Sequence, residues 1–508
     1  MRFAAFAPLC LASVTWGTTP DAWIPARWQG GPLELVRRVR SKTAPAGAPE
    51  REALENWYDP ATLDLLEDSP INCLLVTWSS GANADLERRQ QQLVKSYAAE
   101  AHRRGLAVVG LIHPGALAAA TAKAAADAAL DGLTMDGDFP AGFAEEVTNA
   151  LAAAGSSAMV IPILREAPAV RAANGRILAV QGVSPTARRL TEMGIRAGPS
   201  GEPWIEFNIW SVRSLRFGAA GRPVWLDYQL ESGSATDYLR AVADASVAGG
   251  HWVIALDDNL RVGLWRRHAA VLDTWARIGS ILRFAREHAD WRTFSPYGNL
   301  AIVVDTVTAD SQGNDYLKLA MRRQVPYRLI ARPELGAPTL RERRAVLVAH
   351  LETLADGERE TLRDFAEKGG VVIAGPFWGD PPRDQPYAEK PFGKGRLVVY
   401  KDPDPESVAR DLRDLLSQEE MGITAFNVPS VIMCGSTADS GRRVLVQLLN
   451  YSSSPAVAIT IRVQGTFNSA RWYIPDAAPS NLAVQRQEGH TDVSISKLAL
   501  WGGILLER

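Results

Sequence analysis

Carboxylate side chains follow several apolar stretches in the N-terminal half of this 508-residue chain. The candidates for chemistry are Asp136, Glu206, Asp227 and Asp257. Two opposed carboxyl groups can cleave a glycosidic bond, because one protonates the leaving oxygen while the other attacks the anomeric carbon or activates water. We predict Asp136 and Asp227 as the leading catalytic pair, with Glu206 and Asp257 as alternates. The alternative for each is a structural role, as a helix cap or in a loop ion pair.

Polar and aromatic side chains in the same regions form a second group, which we predict to bind substrate. Its members are Trp78, His113, Asp138, Glu166, Asn208, Tyr228, Gln229 and Asp258. The chain contains 15 Trp, and Trp78 is the predicted stacking platform for a sugar ring because it ends its apolar stretch. For His113 the alternative is a structural turn, and for Asp138 it is a helix N-cap.

These side chains need a scaffold that brings the ends of strands together. Short apolar stretches alternate with helical patterns at residues 71–78, 106–112, 130–136, 158–163, 177–181, 203–208, 223–229 and 251–257. Near-continuous apolar strands separated by helices indicate a buried parallel sheet, and eight of them favour a (β/α)8 TIM barrel. We assign this barrel to residues 20–292, with an irregular N-terminal arm over 20–60. Asp136 then follows the third strand and Asp227 the seventh, on opposite sides of the ring.

Two further domains are predicted after the barrel. Residues 293–424 contain five apolar stretches with intervening helices, the pattern of a flavodoxin-like α/β domain. These stretches are 299–305, 327–331, 344–349, 370–375 and 396–400. Residues 425–508 contain short apolar runs broken by Ser, Gly, Asn and Pro, which predict a small antiparallel β-sandwich.

The motifs of metal and cofactor sites are missing from the sequence. It contains no HExxH pair, no Cys-His cluster, no Walker A motif and no GxGxxG. Asp257 and Asp258 are adjacent acids, but they lack the spacing of a calcium loop. No Lys falls within the eight barrel stretches, which disfavours a Schiff-base lyase or aldolase. We therefore predict neither a metal nor a cofactor.

Charge and the chain ends bear on partners and location. The 55 basic and 57 acidic residues leave a net charge of -2, which argues against a nucleic-acid binder. No apolar stretch predicts a membrane span. Residues 1–19 resemble a short secretory signal peptide, so we predict a secreted or periplasmic protein, with a cytoplasmic location as the alternative.

The order of domains carries a resemblance to a known family. The residues that support it best are Asn299–Asp305, Gly313-Asn314-Asp315, Pro326-Tyr327-Arg328 and 369–376. With the preceding barrel and the following sandwich, they make residues 60–508 resemble bacterial family 42 β-galactosidases. The resemblance implies a carbohydrate substrate and a middle domain that looks like a class I glutamine amidotransferase without its chemistry. It also implies a homo-oligomer, either a dimer or a trimer, formed through that middle domain.

The sequence departs from these patterns at the residues that perform the chemistry. An amidotransferase needs a nucleophilic Cys after a central strand, whereas the turns after 344–349 and 370–375 contain none. The galactosidase family has an Asn-Glu pair after the fourth strand and a Glu after the seventh, where this chain has Arg165-Glu166 and Asp227. Aspartates in these places are more similar to α-galactosidase-like barrels. The family's acid and nucleophile are therefore not transferred to this chain.

Two functions remain open from the sequence. The first is a glycoside hydrolase that uses paired carboxylates at the mouth of the barrel. The alternative is a non-catalytic carbohydrate-binding or assembly protein built on a degenerate hydrolase barrel. The near-zero net charge fits either function, because a neutral sugar needs no electrostatic steering.

Overall fold

A computed structural model describes residues 19–40, 47–165, 173, 175–188, 203–218, 221–231, 233–305, 311–379, 381–417 and 420–508. Glu166 and nearly all of the predicted signal-like segment 1–19 lie outside these residues. The described chain forms two compact units. Unit 1 holds the described residues within 1–163, 175–177 and 254–266, and unit 2 holds the remainder.

The strands of the N-terminal region are short and mostly apolar. They are Pro25–Arg27 (β1), Cys73–Ser79 (β2), Ala107–Ile112 (β3), Gly132–Met135 (β4), Met159–Leu164 (β5), Leu178–Gln181 (β6), Thr186–Arg188 (β7), Trp204–Glu206 (β8), Val224–Asp227 (β9), His251–Trp252 (β10) and Ile254–Ala255 (β11). Apart from the antiparallel pair β7 and β8, they run parallel to their neighbours within each unit, as in a TIM barrel and as the apolar stretches predicted.

The helices of this region follow the strands in the order that a βα-barrel requires. They are Gly31–Arg40 (α1), Ala48–Glu55 (α2), Ala84–Arg103 (α3), Ala118–Asp127 (α4), Phe143–Ala153 (α5), Ile209–Gly218 (α6), Ala235–Val247 (α7), Asp258–Trp265 (α8) and Ala269–Glu287 (α9). Asn83 caps α3 by accepting hydrogen bonds from the amides of Asp85 and Leu86. In the described part of the chain, no helix has both the length and the apolar character that a membrane crossing needs.

Within unit 1 the strand order is β5-β4-β3-β2-β1-β11. Ala26 of β1 pairs with Leu74 on one side and with Ile254 on the other. The predicted irregular arm therefore contains the first strand of the barrel. Three residues that begin with Pro carry no periodic pattern, so tertiary pairing alone makes this segment a strand. Because β1 comes first, Asp136 follows the fourth strand and not the third.

Within unit 2 the parallel strand order is β10-β9-β6. The predicted strand 203–208 is not part of this sheet. Its residues 204–206 form β8, which pairs antiparallel with β7. The prediction that 203–208 is a barrel strand was wrong. The alternation of its side chains, with Ile205 buried between two partly exposed neighbours, is the pattern of a half-buried antiparallel strand.

Tryptophan residues fill the core of unit 1. The Trp28 indole N–H donates to the Tyr97 hydroxyl at 2.6 Å, and the rings of Trp28 and Trp57 lie 4.8 Å apart. Trp78 packs over Gly110 of β3, where an added Cβ would lie 2.9 Å from the indole Cγ. Packing of the core therefore explains why Trp28, Trp57 and Trp78 are tryptophan.

The middle segment of unit 2 is a second α/β sheet. Its strands are Leu300–Val304 (β13), Tyr327–Ala331 (β14), Ala345–Leu347 (β15), Val371–Ala374 (β16), Tyr387–Phe392 (β17) and Gly395–Tyr400 (β18), preceded by Ser295–Pro296 (β12). Its helices are Ser311–Arg322 (α10), Ala337–Leu340 (α11), Asp356–Glu367 (α12) and Pro405–Leu415 (α13). The order β14-β13-β15-β16-β18, all parallel, is the flavodoxin-like order, and antiparallel β17 closes one edge.

The C-terminal segment is antiparallel. Its strands are Ile423–Phe426 (β19), Val431–Ala438 (β20), Arg443–Asn450 (β21), Ala456–Gln464 (β22), Ser469–Tyr473 (β23), Ser480–Leu482 (β24), Val484–Gln487 (β25), His490–Leu498 (β26) and Trp501–Glu507 (β27). One sheet has the order β12-β20-β21-β27-β23-β24 and the other β19-β22-β26-β25. Their facing apolar side chains form one core, which confirms the predicted β-sandwich.

Candidate active site

The ends of β1, β3 and β4 bring three charged or titratable side chains together in unit 1. Arg27 ends β1, His113 follows β3 and Asp136 follows β4. Arg27 Nη1 donates to Asp136 Oδ2 at 2.9 Å, and His113 Nδ1 lies 3.9 Å from the same oxygen. The Asp136 side chain is 25% exposed, whereas that of Arg27 is 4% exposed. Asp136 is thus held by a buried cation and retains an open side.

A second carboxylate lies beneath this group, on the first helix. Glu34 of α1 is completely buried and accepts hydrogen bonds from Arg37 at 2.6 and 2.9 Å. It also accepts from Arg38 at 3.1 Å and from the Thr77 hydroxyl of β2 at 3.1 Å. These contacts bind α1 to the strand ends and supply the positive charge that a buried carboxylate requires.

The surroundings set the protonation states of the cluster. Burial raises the pKa of Asp136, but the surrounding charges and the hydrogen bond from Arg27, with the charge of Arg27 the largest of them, together leave the pKa below its usual value. Burial also raises the pKa of Glu34, yet the bonds and charge of Arg37 bring it to about 2. Burial, followed by the charge of Arg37, lowers the pKa of His113. At neutral pH the cluster therefore holds two carboxylates and a neutral imidazole.

This arrangement suits the nucleophile or base of glycosidic bond cleavage but not its proton donor. An ionised, partly open carboxylate can act as a nucleophile or as a base toward water, but it cannot donate a proton. The Nε2 atom of His113 is buried and makes no hydrogen bond within the described residues. A neutral imidazole in this position can hydrogen-bond a substrate hydroxyl.

The acidic pair after β11 has structural partners in unit 1. Asp257 Oδ1 accepts a hydrogen bond from the Leu260 amide at 2.7 Å, so this residue caps α8. Asp258 Oδ1 accepts from Arg38 at 2.6 Å and from Arg261 at 2.9 Å. The helix-cap role weighed for Asp257 is therefore present, and Asp258 connects α8 to α1.

Trp78 and Asp138 of unit 1, both predicted to bind substrate, lie in different surroundings from those expected. Trp78 is completely buried, and its indole N–H donates to the Thr121 carbonyl at 3.3 Å. An enclosed indole offers no face to a sugar ring, so the stacking role does not fit this structure.

Asp138 is exposed in the loop after β4. Because Gly142 is the N-cap of α5, Asp138 does not cap that helix. Glu166 lies outside the described residues.

In unit 2, three predicted site residues lie together at the end of β9. Asp227 is the last residue of this strand and is partly exposed, and Gln229 is exposed. Between them, Tyr228 is buried and stacks on Trp252 with ring centroids 5.4 Å apart. Its hydroxyl has no hydrogen-bond partner among the described residues. Asp227 thus occupies the strand end that the sequence predicted.

The remaining candidates of unit 2, Glu206 and Asn208, belong to the hairpin region. Glu206 ends β8 and accepts a hydrogen bond from Lys318 Nζ at 2.7 Å. Asn208 donates to Asp244 at 2.7 Å and to the Val183 carbonyl at 2.8 Å. Glu206 does not end a barrel strand, and both side chains hold structural contacts.

Sequence reasoning missed the cations of the cluster, namely Arg27, Arg37 and Arg38. A signal was present, because Glu34 precedes Arg37 and Arg38 by three and four residues, the spacing of ion pairs on one helix face. Arg27 had no comparable signal, since its strand was not predicted. Within the described residues, no group of three or more His, Cys, Asp or Glu side chains is placed to hold a metal ion.

Comparisons with known proteins give matches at the level of structure. No family model and no curated protein matches the sequence. The structure is similar to alpha-L-fucosidase isoenzyme 2 from Paenibacillus thiaminolyticus, with a TM-score of 0.56 and 12% identity over 88% of this chain and 96% of the other.

Two further matches have lower TM-scores. An exo-beta-1,4-mannosidase from Opitutaceae bacterium strain TAV5 matches with a TM-score of 0.46 and 11% identity, over 77% of this chain and 94% of the other. A beta-galactosidase from Bacillus circulans sp. alkalophilus matches with a TM-score of 0.32 and 10% identity, over 82% of this chain and 68% of the other. The TIM-barrel fold of this chain is therefore supported by the match to the fucosidase structure.

Proposed function

We propose that the protein is a glycoside hydrolase in which Asp136 is the ionised catalytic carboxylate. The observation that supports this most is the ion pair between Asp136 and Arg27 at the end of β4. It keeps the carboxylate charged while a quarter of its side chain stays exposed. In βα-barrels the reactive groups project from these strand ends. Asp136 is then the nucleophile, or the base that activates water.

A glycosidase also needs a proton donor. Asp227 at the end of β9 remains our prediction for this role, and it rests on residue type and strand position. His113 remains our prediction for a residue that binds a hydroxyl of the sugar. Glu206, Asp257 and Asp258 are not retained as catalytic or binding residues, because each holds a structural contact.

The test is release of nitrophenol from a panel of nitrophenyl glycosides. α-L-Fucosides come first, because the solved structure with a TM-score of 0.56 carries the name of a fucosidase. We expect Asp136→Asn and Asp227→Asn each to lower kcat by about 10³-fold. Asp85→Asn is the matched control, since Asp85 lies on the exposed start of α3 and forms an ion pair with surface Arg88. Unchanged turnover in both site variants would reject these roles.

A second candidate function is carbohydrate binding without hydrolysis. It is favoured by the contacts of Glu34 and Asp136, because both carboxylates are bound by arginines, as in a structural ion-pair network. This function predicts that calorimetry detects saturable sugar binding while no glycoside of the panel is cleaved. Asp136→Asn would then weaken binding without any loss of turnover to measure.

The proposal also covers the oligomeric state of the protein and its secretion. We expect a dimer or trimer formed through the middle domain, β13–β18, as the galactosidase resemblance implies, and light scattering of the purified protein measures this. We expect export through the signal-like residues 1–19. N-terminal sequencing of the protein recovered from the producing cells would show whether that segment has been removed.

A further inference from the structure

Unit 2 contains a cleft of about 280 Å³ whose lining does not include Asp227. It is formed by α6, the end of α7, the short 3-10 helix Ala289–Thr293 and strands β20, β21 and β27. Its polar lining includes Arg213, Arg216, Arg292, Ser436 and Trp501. We call this cleft the arginine pocket.

Arg216 and Arg292 bring two of the guanidinium groups to the arginine pocket. Arg216 donates from Nη1 to the Ala248 carbonyl at 2.8 Å and from Nη2 to the Arg292 carbonyl at 3.4 Å. Among the residues that the structure describes, neither Arg216 nor Arg292 forms an ion pair with a carboxylate. Two cations are thus held close together, and Arg216 is bound by backbone carbonyl oxygens.

The two neighbouring cations repel each other. Burial lowers the pKa of Arg216, and burial together with the charge of Arg216 lowers that of Arg292. Burial and the same two charges lower the pKa of His251 to about 3, so this neighbour stays neutral. Like charges in a partly dry site repel each other, and an anion bound between them removes that repulsion.

Other groups in the pocket are also hydrogen-bond donors. Ser436 Oγ and Trp501 Nε1 are buried and make no hydrogen bond within the described part of the chain. An indole N–H and a guanidinium can only donate, so these groups require acceptor oxygens. Sulfate and phosphate offer several such oxygens, and arginine binds them in a bidentate manner.

The volume of the arginine pocket exceeds that of a sulfate or phosphate ion. A volume of about 280 Å³ is close to the lower end of small-molecule sites. Aromatic rings form one wall, where His288 stacks on Trp291 with ring centroids 4.2 Å apart. We propose that the arginine pocket binds a sulfate or phosphate group, either as the free ion or as an ester on a small molecule. This proposal is independent of the glycosidase function.

Calorimetric titration of the full-length protein tests the proposal. The probes are inorganic sulfate, inorganic phosphate and glucose 6-phosphate, each against sodium chloride at the same ionic strength. We expect saturable binding of sulfate or phosphate and none of chloride. Tighter binding of glucose 6-phosphate than of phosphate indicates an ester ligand, whereas equal binding indicates the free ion.

Variants then locate the binding site. Arg216→Gln and Arg292→Gln are expected to weaken anion binding at least tenfold, and Arg363→Gln, on the exposed face of α12, is expected to leave it unchanged. Ser436→Ala keeps both charges and the packing, so it tests the pocket even if an arginine variant misfolds, and we expect several-fold weaker binding. Equal affinity of Ser436→Ala, the folded arginine variants and wild type would overturn the proposal, as would no saturable binding of any of the three probes.

Discussion

Arg27 Nη1 lies 2.9 Å from Asp136 Oδ2, although 109 positions separate the two residues. Their strands, β1 and β4, are not neighbours, because β2 and β3 lie between them in the sheet. Three strand spacings amount to about 14 Å in a flat sheet. The sheet must therefore curve for these side chains to meet, and a βα-barrel supplies that curvature. The ion pair is a consequence of the fold, and it also lowers the pKa of Asp136.

Replacement of Arg27 should affect stability and protonation together. Arg27→Met leaves the Asp136 carboxylate buried without this cation, and we expect a loss of about 3 kcal/mol in the free energy of unfolding. The pKa of Asp136 should rise, so the acid limb of the pH–rate profile should move to higher pH. Urea unfolding and the pH dependence of kcat/KM measure the two effects.

The matched control for Arg27 is Arg88→Met, because Arg88 pairs with Asp85 on the exposed surface of α3. An exposed pair contributes little, so we expect a change below about 1 kcal/mol. If Arg27→Met and Arg88→Met had equal effects, the pair of Arg27 and Asp136 would have no special role.

Glu34 should make the protein sensitive to acid. Its folded pKa of about 2 lies below the ordinary value of 4.5. The stabilisation it contributes is therefore complete above pH 4.5 and is lost as the pH falls toward 2. Glu34→Gln should cost about 3 kcal/mol at pH 7 and less at pH 3. Two unfolding curves that stay parallel from pH 7 to pH 3 would contradict this prediction.

Asp244 should have the opposite dependence. Burial raises its folded pKa from 3.8 to about 6, despite hydrogen bonds from Tyr451 and Asn208. The folded protein thus favours the protonated form, and the associated stability is complete below pH 3.8 and lost as the pH rises through 6. Wild type should lose about 3 kcal/mol relative to Asp244→Asn between pH 4 and pH 7.

Denaturant unfolding at several pH values measures the difference for Asp244. The control is Asp273→Asn, an exposed position on α9. Its curve should follow that of wild type throughout. A constant difference between wild type and Asp244→Asn would show that Asp244 stays charged in the folded protein.

Trp78 provides a test of burial against sugar stacking. Trp78→Phe removes a buried ring and the hydrogen bond to the Thr121 carbonyl, so we expect a loss of about 2 kcal/mol. KM for any cleaved glycoside should change by less than twofold. A large rise in KM at unchanged stability would restore the stacking role.

Local sequence patterns predicted the strands of the scaffold well where a strand is buried along its whole length. The strands β2 and β21 each contain a run of consecutive apolar residues, 73–76 and 444–446, and both strands are buried almost throughout. The patterns failed at β1, which is too short for any periodicity, and at β8, whose alternation belongs to an antiparallel hairpin. The positions of Asp136 and Asp227 at strand ends followed from runs that were identified correctly.

The order of domains, the strands with long apolar runs and the carboxylates that follow them can all be identified from the amino-acid sequence. Which charged side chains meet depends on the three-dimensional fold. It paired Asp136 with Arg27, turned Asp257 into a helix cap and enclosed Trp78 in the core. The physical reason is that hydrophobic periodicity is a local property, whereas ion pairs and burial depend on contacts between residues far apart in the chain.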